Sequence, residues 1–208
     1  MHTQSLKGSR LSFQQARLWL FQQGRKTYQF QYTFMLGGIL NKRVFLQSLQ
    51  QVVEQHEILH TMFYAKPGME IPIQVVAQER EIQCPVISLE NLSDLSQMSQ
   101  LEKWCEIAYE IAFDLRHGPV IRAFLLQYSR QAHMLLLAFP AICVDNTSVK
   151  NFIDELYQTY NAYLQEETLE SDILQYADVS AWQEELLQEP DAEMHRAHWQ
   201  KIEGIWIL

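Results

Sequence analysis

Three groups of residues in this sequence are of types that do chemistry. The first is His56-Glu57-Ile58-Leu59-His60, a literal H-E-x-x-H. On a continuous helix that spacing puts two imidazoles on one face to hold zinc, with the glutamate as general base. The longer zinc motif adds a glycine and a third histidine, but Phe63 and Lys66 stand at those places. Glu79 and Glu81 follow without a supporting motif. His60 also falls where helix should give way to strand, which would break the i, i+4 geometry. A zinc peptidase is therefore the weakest functional reading, and no metal is expected. The second group is the segment Pro140-Ala141-Ile142-Cys143-Val144-Asp145-Asn146, which places a carboxylate and a thiol just after an apolar run. A thiol needs a neighbouring base to become a nucleophile, and none adjoins Cys143 in sequence. The third group is the remaining histidines. His133 is expected at a strand start, and His195 and His198 on a polar helix, all three solvated.

These residues must be positioned by elements that the periodicity predicts. Ser12 suits the N-cap of a helix reaching about Gln23. Tyr28 to Leu40 reads as a strand, and Asn41 can cap a helix whose apolar stripe is Phe45, Leu49, Val52, Val53 and His56. Strands are expected over His60 to Tyr64 and Ile71 to Val76, around a turn at Lys66-Pro67-Gly68. A helix over roughly Gln97 to Phe113 presents Leu101, Trp104, Cys105, Ala108 and Ile111. Val120 to Gln127 and His133 to Phe139 form an antiparallel pair, the second apolar enough to be central. A long helix follows with Val149, Phe152, Ile153, Leu156, Tyr157 and Tyr160 on one face, then helices near Ile173 to Leu187 and Asp191 to Ile202. The mixture predicts an α/β sandwich with a mixed sheet, rather than a doubly wound parallel fold.

Composition sets outer bounds. The 208 residues suffice for one domain or one large lobe. A formal net charge of −9 excludes the basic footprint that nucleic-acid binding needs. The three cysteines, Cys84, Cys105 and Cys143, are odd in number and lack C-x-x-C spacing, so they read as buried thiols of a reducing compartment. Met1 to Arg10 has no apolar signal core, and the longest apolar run, Met134 to Val144, is too short to span a bilayer. The expected setting is cytoplasmic, with no membrane partner.

Four collinear segments resemble the condensation domains of nonribosomal peptide synthetases. Leu11-Ser-Phe-Gln-Gln-Ala-Arg-Leu-Trp-Leu20, with Arg17 and Trp19, is similar to the family's S-x-A-Q-x-R-L-W opening. Gln55-His-Glu-Ile-Leu-His-Thr-Met-Phe63 resembles R-H-E-x-L-R-T-x-F, retaining His56 and Glu57. Phe113-Asp-Leu-Arg-His-Gly-Pro-Val-Ile-Arg122, with Asp114, looks like F-D-L-x-x-G-P-L-x-R. Tyr176-Ala-Asp-Val-Ser-Ala-Trp-Gln183, with Asp178 and Trp182, is close to Y-x-D-Y-A-x-W-Q. The family's core motif is H-H-x-x-x-D-G. At the matching positions Asp145 is retained, Pro140 and Ala141 replace the histidines, and Asn146 replaces the glycine.

The resemblance implies a chloramphenicol acetyltransferase-like sandwich lobe, with residues 1–208 forming the N-terminal half and the C-terminal lobe absent. Family members join carrier-bound substrates held on phosphopantetheine arms, and no directly bound cofactor is expected. Amide formation needs a proton managed and an oxyanion stabilised. A methyl group at 141 does neither, so no catalytic residue is expected. Gln55 and His60 replace the two arginines of the second segment, leaving Arg17 and Arg122 as candidate partners for Asp145. The leading expectation is a non-catalytic lobe serving as a platform for adenylation or carrier domains. The alternative is half of an active enzyme completed by another chain. An uncovered lobe interface would leave an apolar patch suited to self-association.

Overall fold

The computed structural model describes residues 8–23, 26–77, 81–167 and 173–188. Strand β1 (Gly8–Arg10) precedes helix α1 (Phe13–Phe21). Ser12 caps α1 through a reciprocal box: its hydroxyl accepts from the Gln15 N–H, and the Gln15 side chain accepts from the Ser12 N–H. Strand β2 (Gln29–Gly37) leads to α2 (Lys42–Gln55), capped by Asn41. A 3-10 turn, Glu57–His60, feeds β3 (Thr61–Tyr64), which folds back on β4 (Ile73–Val76) past Gly68, where φ is +88°. That backbone angle suits only a residue without Cβ. Then come β5 (Val86–Ser88), α3 (Asp94–Glu110), β6 (Arg122–Ser129), β7 (Ala132–Pro140), α4 (Asn146–Leu164) and α5 (Tyr176–Gln188).

The strands form two sheets. One is antiparallel with order β1-β4-β3, and the other has order β2-β7-β6-β5. The second is mixed, because β5 runs parallel to β6 while β2 and β6 run antiparallel to β7. β7 is central, as its unbroken apolar run predicts, and successive side chains point to opposite covered faces. Leu135, Leu137 and Phe139 pack with Phe45, Leu49 and Val52 of α2 and Phe152 of α4. Leu136 and Ala138 pack with Phe63, Ala108 and Phe113 on the other side. Cutting Leu135 or Leu137 back to alanine would cost about 2–5 kcal/mol, because a core this dense relaxes little.

Several expectations shift. α3 begins at Asp94, where Ser93 caps it, and ends at Glu110, three residues earlier than expected at each end. β1 and β5, each three residues long, had no sequence signal. His133 is not solvated: it is 1% exposed, because β7 is covered on both faces. Cys143 is buried, whereas Cys84 and Cys105 are only half-buried. The expected helix over Asp191 to Ile202, with His195 and His198, lies outside the described residues, as does Glu79. Among the described residues no helix is long and apolar enough to cross a membrane.

Candidate active-site loop

The loop between β7 and α4 is built from its neighbours inward. Pro140 ends β7 opposite Gln29. The adjacent pair, Tyr28 and Ala141, is hydrogen-bonded through the Ala141 N–H, 2.8 Å from the Tyr28 carbonyl. Antiparallel ladders alternate bonded and non-bonded pairs, so Pro140 stands where no N–H to β2 is needed. The β6 pairing has already stopped at Ala138. Proline is therefore accommodated without a lost ladder bond.

Beyond it, the Cys143 N–H closes a turn onto the Pro140 carbonyl at 3.0 Å. The buried Gln15 amide reaches from α1 to donate to the Ile142 carbonyl at 3.3 Å. Ile142 and Cys143 are buried. Burial pushes the Cys143 thiol well above its ordinary pKa, because a thiolate there would be stripped of water. Cys143 is thus a small apolar filler rather than a nucleophile.

Asp145 is exposed and caps α4. Its Oδ1 accepts from both the N–H and the hydroxyl of Ser148, each at 2.7 Å. Those bonds hold its carboxyl below the usual range. Neither candidate arginine reaches it. Arg122 donates to the Ala108 and Ala112 carbonyls near the C-terminal end of α3 and stacks 3.8 Å over the Phe113 ring. That placement suits a cation at a helix C-terminus. Arg17 is exposed and lies over Phe21 at 5.6 Å. Asn146 accepts from the Tyr32 hydroxyl at 2.6 Å, tying the loop to β2. Burial, then the nearby Asp145 charge, pushes the Tyr32 phenol up.

A cavity of about 650 Å³ adjoins this loop. Ala141 and Asp145 lie on its wall, with Gln15 of α1, Tyr176 of α5, and the pair His56 and Glu155. His56 Nε2 stands 2.6 Å from Glu155 Oε2. Glu155 carried no sequence signal, since it arrives from α4 across 99 residues. Gln15 was not singled out in the sequence, although the S-x-x-Q spacing from Ser12 is the signal that could have found it.

The H-E-x-x-H geometry is not formed. His56 is the C-cap of α2, the next four residues are 3-10, and His60 Nδ1 turns to the Ala77 carbonyl at 3.3 Å. Among the described residues no group of three or more His, Cys, Asp or Glu could hold a metal. Glu57 donates its N–H to Gln175 and accepts from Thr61 through its carbonyl. Asp114 is exposed in a turn, bonded to the Arg116 N–H and to His117. The other motif residues are dispersed. Trp19 stacks on Phe63 and donates to the Glu70 carbonyl. Asp178 and Trp182 are exposed on α5.

The family model of the condensation domain matches residues 7–204. The chain belongs to the condensation-domain family. Chondramide synthase cmdD of Chondromyces crocatus is 30% identical over 93% of the chain, and tyrocidine synthase 3 of Brevibacillus parabrevis is 30% identical over 91%. The chain spans 5% of the length of the first and 3% of the second. The starter condensation domain of the rhizomide synthetase RzmA superposes with a TM-score of 0.83 at 20% identity, over 94% of this chain and 48% of that one. The condensation domain of the monacolin K polyketide synthase MokA gives 0.80 at 20% identity, over 94% and 43%. The fold is the chloramphenicol acetyltransferase-like fold of condensation domains. In this family setting, Ala141 brings a methyl group to the cavity wall, and the carboxylate four residues on is engaged by its own helix.

Proposed function

We propose that this condensation chain is a non-catalytic lobe of a nonribosomal peptide synthetase, a structural platform for neighbouring adenylation or carrier domains. One observation carries the reading: Ala141 stands where the family motif has an imidazole. A methyl group can neither accept the amine proton nor donate to an oxyanion. The loop offers no substitute. Cys143 is buried with its thiol protonated, and Asp145 is engaged by Ser148. The phosphopantetheine arms that relatives handle would be met here by carrier domains, with no cofactor bound to this chain.

The test is a single-turnover assay with aminoacyl groups loaded on donor and acceptor carrier proteins. The expected result is no amide above the uncatalysed rate, with the chain alone or beside a condensation C-terminal lobe. Amide formation that disappears in Asp145→Ala would overturn the reading.

A second reading has one observation in its favour. The solved domains are roughly twice the length of the matched region, so a second lobe from another polypeptide or a downstream segment could complete the site, with chemistry driven by positioning. Stoichiometric co-purification with a second-lobe chain, together with amide formation by that complex, would favour it.

A further inference from the structure

His60 has one ring nitrogen engaged and one not. Its Nδ1 lies 3.3 Å from the Ala77 carbonyl. A carbonyl only accepts, so Nδ1 carries the proton, and in the neutral ring Nε2 holds the lone pair. Nε2 is shut off from solvent and has no hydrogen-bond partner among the described residues. A buried acceptor is ordinarily met by a donor.

His60 stands on the wall of a cavity of about 300 Å³. β3 and β6, one from each sheet, both contribute to that wall. Val53, Leu59, Val120, Ile121 and Ala123 line it, and all five are buried by the packing of this lobe itself. The cavity is therefore walled by the interior of the lobe. Among the described residues only Leu59 is shared with the cavity beside the β7–α4 loop, so the site stands apart from the chemistry there.

The lining selects the kind of molecule that fits. An apolar cavity of roughly 150 Å³ takes one benzene, and small-molecule pockets begin near about 300 Å³, so there is room for a single substituted ring. The charged side chains at the margin are engaged elsewhere or outward. Arg122 is held by the Ala108 and Ala112 carbonyls, His117 is bonded to Asp114, and Glu81 is exposed. Desolvating a charged ligand here would thus gain little in return. His60 Nε2 is the one unpaired buried side-chain nitrogen or oxygen on the wall among the described residues. Water is a poor occupant of such a place, because it needs two to four polar partners.

We propose that this cavity binds a small neutral phenol, with its ring among the aliphatic side chains and its hydroxyl donating to His60 Nε2. A rigid ring fills the space with few rotatable bonds to immobilise, which an aliphatic alcohol of equal bulk does not.

The test is a nuclear magnetic resonance titration of the chain, labelled at its Ile, Leu and Val methyl groups, with para-ethylphenol. Saturable shifts are expected at Val53, Leu59, Val120 and Ile121. Para-ethylanisole keeps the shape but has no donor, and it should bind about tenfold more weakly, the scale of one hydrogen bond. A long-range proton–nitrogen spectrum of the histidine rings should show the His60 Nε2 signal moving with the phenol and staying with the ether, a readout that needs no variant. His60→Phe keeps a ring of similar bulk without the acceptor and should bind the two compounds equally. Five results would each overturn the proposal: no saturable shift at the lining residues, equal binding of phenol and ether by the wild-type chain, a His60 Nε2 signal that the phenol leaves unmoved, a preference that survives His60→Phe, or tighter binding of para-ethylbenzoate than of the phenol.

Discussion

His56 and Glu155 join across 2.6 Å, fastening the end of α2 to the middle of α4. Both side chains are about two-thirds to three-quarters shielded, at 23% and 33% exposure, so the pair is partly protected from solvent screening. His56 also ends α2, where the helix turns into the 3-10 segment before β3. The bond therefore ties the end of one core helix to the other core helix at the cavity wall.

His56→Ala and Glu155→Gln are each expected to lower stability by about 1–2 kcal/mol, the range for a bond to a charged group that is not wholly buried. The double variant should lose less than the sum, with a coupling of at least about 0.5 kcal/mol. Urea denaturation of the four proteins measures it, and additive losses would show that the two residues act separately.

Asp145 contributes as a helix cap. Replacing it with alanine is expected to cost about 1 kcal/mol, while asparagine, an equally good N-cap, should cost little. The pH dependence follows from the bonds with Ser148. They hold the folded carboxyl below its unfolded value of roughly 3.9, so the stabilisation is complete above that value and fades as pH falls through the lowered folded one. Thermal melts of wild type, Asp145→Asn and Asp145→Ala at pH 7 and near pH 3 check both points. A large loss in Asp145→Asn at neutral pH would show that the charge, rather than the cap, is what matters.

The caps were legible in the sequence because they act locally. Ser12 and Asn41 each satisfy an N–H within three residues, and a short polar side chain before an apolar period is enough to read. β7 was legible because both of its faces are covered and its sequence says so. β5 was not, since Val86–Ser88 forms only by lying parallel to Leu125–Gln127, some forty positions on. The loop substitutions at 140, 141 and 146 were readable from the motif. What the carboxylate at 145 does was not, because sequence cannot distinguish an arginine that arrives from one that turns aside. Arg122 turns aside to the carbonyls near the end of α3.

The thiols are expected to be slow. Burial pushes Cys84 up to about 12, and it raises Cys105 and Cys143 as well. Reactivity follows the thiolate fraction and access. Labelling with a disulfide reagent at pH 8 should therefore leave Cys143 unmodified in the folded chain, with all three cysteines reacting in denaturant. Prompt native labelling of Cys143, located by peptide mass, would show that the loop opens and that the thiol is available for chemistry.

His133 should make the fold sensitive to mild acid. It is 1% exposed on β7, and both ring nitrogens lack a hydrogen-bond partner among the described residues. Burial, then the nearby Lys42 charge, lowers its pKa, while Glu90 opposes them more weakly. The imidazole is thus neutral in the fold, and the unfolded chain binds its proton more readily, near pH 6.5. Stability attributable to this residue is complete above that value, and it falls as pH drops toward the lowered folded value. His133→Leu removes the titration and two unpaired polar atoms at once, leaving a side chain of similar bulk. Its expected melting temperature is equal to or above wild type at pH 7.5, with the gap widening at pH 5.5. A wild-type melt no more acid-sensitive than that of His133→Leu over this interval would mean that the buried imidazole finds a proton acceptor on folding, against its unpaired placement on β7.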